Sequence, residues 1–141
     1  MSKLKEKFTI PLLVLLLILF DQCIKIYIRN NLMNENFYIF NDVIKFVPSL
    51  NTSYSWFNSL FNLGIGLLSH IAVNIIILFI SILLFDFIRQ KQKGNKIINL
   101  LSILLFSGAV CSLIDRIFWG GSLDYIYLKG LFTFDLKDCR C

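Results

Sequence analysis

Three long apolar stretches dominate the chain, each broken by only a few polar side chains. From Phe8 to about Ile28 the interruptions are Asp21, Gln22 and Lys25, and from Leu67 to Phe85 they are chiefly His70 and Asn74. The third stretch starts at Ile97 and stops at Ile114, directly on Asp115 and Arg116. Each comes near the roughly 20 apolar residues that a helix needs to cross a bilayer. The pattern predicts spans over about 8–28, 67–85 and 97–114, with 29–66 and 115–141 as polar segments in one membrane domain, 1–141. Within the first polar segment, "FYIFNDVIKFV" carries β-branched and aromatic runs and "NTSYSWF" carries turn and aromatic residues. A small strand-containing element on the membrane surface is expected there, with Phe57, Leu60 and Phe61 dipping into the interface beside Trp56. The predicted fold class is an all-α membrane protein of three transmembrane helices with a small extracytoplasmic β-containing element.

Composition agrees with this pattern: 57% of residues are hydrophobic and the mean hydropathy is +0.72, outside the soluble globular norm. Charge adds an orientation. Lys3, Lys5 and Lys7 precede the first span, and Arg89, Lys91, Lys93 and Lys96 fill the short loop "DFIRQKQKGNK" between the second and third. The positive-inside rule makes these regions cytoplasmic and puts Arg29 to Gly66, and everything after Ile114, on the outer side. The net charge of +5 is mostly this signal, and with no basic patch interleaved with aromatics a nucleic-acid partner is not expected. "MSKLKEK" and the apolar run before Cys23 outline a cleaved leader, but Phe20, Asp21 and Gln22 are too large for a cleavage site before that cysteine. Asp21 and Lys25, spaced i to i+4, share a helix face and can neutralise each other. A retained first helix follows. Cys23, Cys111, Cys139 and Cys141 have no metal-ligand spacing; Cys23 and Cys111 read as packing residues, and Cys139 and Cys141 as exposed thiols able to bond between chains. No metal or cofactor is expected.

The acids carry the chemistry. Asp115, Asp124, Asp135 and Asp138 gather in the last segment, and a carboxylate at the membrane boundary is costly unless paired or solvated. Arg116 follows Asp115 and is expected to neutralise it in a structural role. Asp124 follows the turn residues Gly120 and Gly121, with apolar flanks and no adjacent cation. Asp138 follows a second turn at Gly130 and the run "LFTF", expected to return to the bilayer surface. The two turns allow Asp124 and Asp138 to face one another and share a proton, one as base and one as acid, which is aspartic-protease chemistry. Solvated acids flanking glycine turns are the competing reading. Nucleophilic mechanisms lack parts, because His70 is the only histidine and is expected to lie remote from the outer acids.

These residues resemble a known family, the lipoprotein signal peptidases or signal peptidase II, bacterial inner-membrane aspartic proteases. "DQCIK" (21–25) resembles its D-Q-x-x-K, "NTSYSW" (51–56) its N-T-G-x-[AS]-[FW] with Ser53 for glycine, and "CSLIDR" (111–116) its G-N-x-x-D-R with Ser112 for asparagine. "SLDY" then places Asp124 on the first catalytic aspartate, and "FDLKD" (134–138) resembles F-N-x-A-D, placing Asp138 on the second, with Asp135 and Lys137 for asparagine and alanine. The resemblance covers nearly the whole chain. It implies an Asp124–Asp138 dyad, with Asp21, Lys25, Asn51, Ser112, Asp115, Arg116 and Asp135 binding substrate or supporting the site. The implied substrate is a prolipoprotein signal peptide ahead of a diacylglyceryl-modified cysteine, cut at the outer leaflet of the inner membrane among membrane lipid.

The departures keep a second class open, a non-catalytic relative that binds lipoprotein precursors or another membrane protein. Lys137 should favour the ionised form of Asp138 if its ammonium turns inward, and Asp135 should do the opposite. The family pattern also continues into a fourth helix after the second aspartate, whereas this sequence ends at Cys141. The chain alone is therefore expected to be weakly active or inactive, with Ser107, Gly108 and Ser112 among the positions left facing lipid.

Overall fold

The computed structural model describes residues 2–54, 58, 61, 64–92 and 95–140. Trp56, Phe57, Leu60 and Cys141 lie outside the described residues. Helix α1 (Ser2–Asn31) leads to strands β1 (Phe37–Phe40) and β2 (Ile44–Asn51). Helices α2 (Leu67–Lys91) and α3 (Lys96–Ile114) follow, then β3 (Ser122–Leu128), β4 (Thr133–Phe134) and a final 3₁₀ turn, Asp138–Arg140. Among the described residues the protein is mostly helical, with three helices long and apolar enough to span a membrane and one small antiparallel sheet.

α3 packs against both α1 and α2. It starts cleanly because the Asn95 side chain accepts from the backbone N–H groups of Ile97, at 2.9 Å, and Ile98, satisfying donors with no partner inside the helix. Ser102, Ile103, Ser107, Gly108 and Cys111 are its buried residues, and small side chains let neighbouring backbones approach closely. Ser107 and Gly108 are thus buried within the bundle, contrary to their expected lipid-facing position. Ser112 is part-buried. α2 differs, since its described residues include no buried one.

The sheet order is β1-β2-β3-β4, every pair antiparallel. The expected strands near "FYIFNDVIKFV" are β1 and β2, while β3 and β4 are additions that sequence reading missed; the run "LFTF" supplies β4. Pro48 lies where the β2–β3 register shifts between Phe46 and Ser49, a bulge that tolerates a residue without an N–H. Leu123 and Tyr125 join Phe46 and Ile28 of α1 in the core, so the sheet is seated on the end of the first helix. The third helix also outruns its expected end at Ile114. It continues as a π-helical turn, Asp115–Trp119, in which the Gly120 N–H reaches back to the Asp115 carbonyl.

Candidate active site

Two glycines steer the chain from α3 into the sheet. Gly120 adopts the left-handed conformation (φ 65°) that closes the π turn. Gly121 then passes so close to β2 that a Cβ there would stand 2.7 Å from the Asn51 carbonyl oxygen. β3 starts at once, pairing Ser122 with Asn51 and Asp124 with Ser49. Alternation along a strand puts Ser122 and Asp124 on one face. The Ser122 hydroxyl donates to Asp124 Oδ1 at 2.7 Å and the Asn51 amide to Oδ2 at 3.2 Å. Asn51 Oδ1 accepts from the Ser53 N–H at 3.0 Å, which fixes which end of its amide faces Asp124.

The 3₁₀ turn after β4 is built reciprocally. Asp135 Oδ1 accepts from the backbone N–H groups of Lys137 (3.0 Å) and Asp138 (3.2 Å), while Asp138 Oδ2 accepts from the Asp135 N–H at 3.2 Å. This arrangement aims Asp138 at Asp124: Asp124, Asp135 and Asp138 each bring a carboxylate oxygen within 4.8 Å of the others. Such a spacing would suit a cation, and a cationic side chain is already there, because the Lys137 ammonium donates to Asp135 Oδ2 at 2.7 Å.

Beside this pair lies a buried ionic network. Lys25 is fully buried and reaches Asp115 at 2.5 Å, Asp135 at 2.6 Å and its helix neighbour Asp21 at 3.2 Å. Lys137 closes the network on the other side, 3.1 Å from Asp115. Gln22 donates to Asp115 Oδ1 at 3.1 Å and accepts from the Trp119 indole at 3.2 Å. The expected pairing of Asp115 with Arg116 is therefore replaced by Lys25 and Lys137, because neighbours on a helix point about 100° apart. Arg116 instead donates to the Ser112 hydroxyl, to the Ser112 carbonyl at 3.0 Å and to the Tyr54 carbonyl at 2.7 Å.

A cavity of about 250 Å³ opens over these groups. Of the residues singled out in the sequence, Asn51, Ser112, Asp115, Arg116, Asp124 and Asp138 line it. Asp21, Lys25 and Asp135 are buried and outside the lining, and act through their bonds to lining groups. Sequence reading missed Ser122, Tyr54, Phe132 and Thr133, which complete the wall with Lys137. Tyr54 holds a positive φ of 64°, uncommon outside glycine, and presents its carbonyl to Arg116. His70 is closer than expected. It lies in the first turn of α2, on the same side as the acids, with its ring 5.6 Å from that of Tyr54.

The environments of the acids separate them. Burial pushes the Asp124 carboxyl up to about 6, against the pull of the Ser122 hydrogen bond and the Lys137 charge. Partial burial also pushes Asp138 up, with Lys137 opposing and Asp135 adding to the rise. Burial would raise Asp135 too, but Lys137 and Lys25 outweigh it and hold that carboxyl below the usual range. Lys137, despite its burial, stays a firm cation through Asp135 and its other acidic neighbours.

Comparison with known proteins agrees along nearly the whole length. The chain is 30% identical over 142 residues to the lipoprotein signal peptidase of Borreliella burgdorferi strain ZS7, covering 95% of this chain and 79% of that protein. It is also 30% identical over 149 residues to the lipoprotein signal peptidase of Borreliella afzelii, covering 94% and 79%. Two solved structures share the fold, each described as a bacterial membrane enzyme determined by the in meso method. The one at 1.9 Å superposes with a TM-score of 0.75 at 21% identity, covering 94% of this chain and 84% of that one. The one at 2.3 Å gives 0.68 at 21% identity, covering 94% and 79%. Residues 13–140 match the family described as signal peptidase (SPase) II, and the chain belongs to that family of membrane-spanning proteases that process lipoproteins.

Proposed function

We propose that this protein is an aspartic endopeptidase that removes the signal peptide from diacylglyceryl-modified prolipoproteins, with Asp124 and Asp138 as the catalytic pair. The observation that carries the reading is their geometry: two carboxylates within 4.8 Å across one cavity, both held above the usual range. One such carboxylate, ionised, takes a proton from a water that attacks the scissile carbonyl, and the other, protonated, gives one to the leaving amine. Asn51 and Ser122 keep Asp124 turned into the cavity, and the Asp135 cap does the same for Asp138. Arg116 and Ser112 lie on the lining as polar partners for the substrate backbone or its headgroup.

The deciding experiment uses purified protein in nanodiscs with a precursor peptide carrying a diacylglyceryl cysteine. Wild-type protein should cut before that cysteine, and Asp138→Asn should not. Normal cleavage by Asp138→Asn at equal protein level would remove the assignment. The ammonium of Lys137, 4.0 Å from Asp138, favours a second reading in which both carboxylates stay ionised and the protein binds precursors without cutting them. The same assay separates the two, because a non-catalytic relative would bind the peptide and release no product.

The charge pattern supports an orientation with the basic α2–α3 loop in the cytoplasm and the cavity at the outer leaflet of the inner membrane. Cys139 is exposed. It should react with an impermeant thiol reagent in intact spheroplasts, after reduction if oxidised, and labelling only after lysis would reverse the orientation.

A further inference from the structure

Between the buried ionic network and the Asp124–Asp138 pair stands Lys137, whose contacts reach further than the effect on Asp138 expected from the sequence. Lys137 is buried, and its three ammonium protons have visible destinations: Asp135 at 2.7 Å, Ser122 Oγ at 2.5 Å and Asp115 at 3.1 Å. An ammonium can only donate. The Ser122 oxygen therefore accepts, and its single proton is left for Asp124 Oδ1, 2.7 Å away. On its other side the same ammonium lies 4.0 Å from Asp138 Oδ1.

We propose that Lys137 is a positioning residue for peptide cleavage, directing the Ser122 hydroxyl onto Asp124 and standing beside Asp138, so that one lysine sets the charge state of both carboxylates. This rests on the reading of Asp124 and Asp138 as the catalytic pair. Asp135 is the other half of the device. Its Oδ1 accepts from the backbone N–H groups of Lys137 and Asp138, while its Oδ2 bridges the ammonium groups of Lys137 and Lys25. Sequence positions where the resembling pattern has neutral asparagine and alanine thus carry a matched pair of charges. Burial pushes Asp124 and Asp138 up; Ser122 and Lys137 pull Asp124 down, and Lys137 pulls Asp138 down. The other titratable and charged groups around the cluster are Asp21 and Lys25 from α1, Asp115 and Arg116 from the end of α3, Tyr125 from β3 and His70 from α2. Every variant below leaves them in place.

The test is the pH profile of kcat/KM on the lipidated precursor peptide. Removing the cation makes both carboxylates harder to ionise, so Lys137→Ala should move both limbs of the profile to higher pH, by about one unit, a tenfold change at fixed pH on the acidic side. Lys137→Arg should restore the wild-type limbs. Asp135→Asn combined with Lys137→Ala removes opposite charges together and should return the limbs most of the way. Ser122→Ala cuts the route to Asp124 while leaving the ammonium beside Asp138, and should shift one limb alone. A lysine that merely supported the fold would lower the height of the profile and leave its position unchanged. That result for Lys137→Ala overturns the proposal. If that protein does not accumulate, Ser122→Ala decides, and a profile with neither limb moved overturns it. Infrared titration of the protonated carboxyl band in nanodiscs reads the same shifts without turnover. Cleavage by Asp124→Asn would instead sink the catalytic pair itself, whereas an inactive Asp124→Asn with unmoved Lys137→Ala limbs sinks only the role of Lys137.

Discussion

Five aspartates lie within one small region, and they divide into two tiers that share a side chain and little else. Asp21, Asp115 and Asp135 sit below the cavity floor or form it, buried to within 1% exposure, and Lys25 reaches all of them. Asp124 and Asp138 stand above, where neutral donors from Ser122, Asn51 and the Asp135 backbone make their closest contacts. The lower tier is in direct contact with cations. The upper tier, where Lys137 is the nearest cation, is left with carboxyls that burial raises, Asp124 to about 6. On the proposed reading, the access of a cation, and not the identity of the acid, separates scaffold from reagent. The lower tier also has a mechanical task, since it ties α1, the end of α3 and the turn after β4 to one point.

The contrast is broken most severely from above. Asp124→Asn or Asp138→Asn should lower cleavage of the lipidated precursor by roughly 10²–10⁴-fold, the usual contribution of a positioned acid or base. The thermal midpoint in detergent should change little, and a large fall in it would move that aspartate into the scaffold tier. Lys25→Met should show the opposite signature. Removing one partner of a buried ionic network costs about 3–5 kcal/mol, so folded yield should collapse before turnover per folded molecule is affected. Quantitative size-exclusion recovery alongside the activity per recovered molecule checks this.

A smaller effect is expected where the tiers meet the sheet. Gly121→Ala places a methyl 2.7 Å from the Asn51 carbonyl oxygen, and the strands must part to admit it. Overpacking of this kind costs about 1–3 kcal/mol, and because Asn51 and Ser122 move with the strands, kcat should fall more than KM rises. Kinetics on the purified variant would show it. The smallest effect is on the pH dependence of stability. Asp124 titrates at about 6 in the folded protein against an ordinary 3.8, so between those values the folded state binds the extra proton. Stability therefore falls as pH rises through that window, by up to about 1.4 kcal/mol per pH unit from this group. Wild-type protein should gain on acidification from pH 7 to pH 5 relative to Asp124→Asn, as measured by thermal unfolding at the two pH values.

Local physics explains which parts of this were legible beforehand. The Asp21–Lys25 pair was readable because i to i+4 spacing on a helix guarantees proximity, and the structure places them 3.2 Å apart. β1 and β2 were readable from their aromatic and β-branched run. "SLDYIYL" carries a similar signal in Tyr125, Ile126 and Tyr127, but the glycine turns on either side drew the reading toward loops, and with β3 unrecognised Ser122 had no reason to be placed beside Asp124. Arg116 was the obvious partner for Asp115 by adjacency, and adjacency misleads on a helix, where the true partner came from 90 residues away. His70 looked remote because its helix was read as lipid-buried, although a residue in the first turn of α2 stands at the membrane edge beside Tyr54.

By itself the sequence determined the three apolar helices, the polar segments between them and the gathering of acids after the third, since each follows from the local cost of placing side chains in lipid or water. Apart from Asp21, whose lysine is its helix neighbour, tertiary structure decided which acids obtained cations. Lys25 and Lys137 reach Asp115 and Asp135 only because α1, the π turn after α3 and the turn after β4 converge on one buried point. Charge pairing in a low-dielectric interior depends on distances of a few ångströms between segments far apart in the chain, and no local pattern of residues encodes such distances.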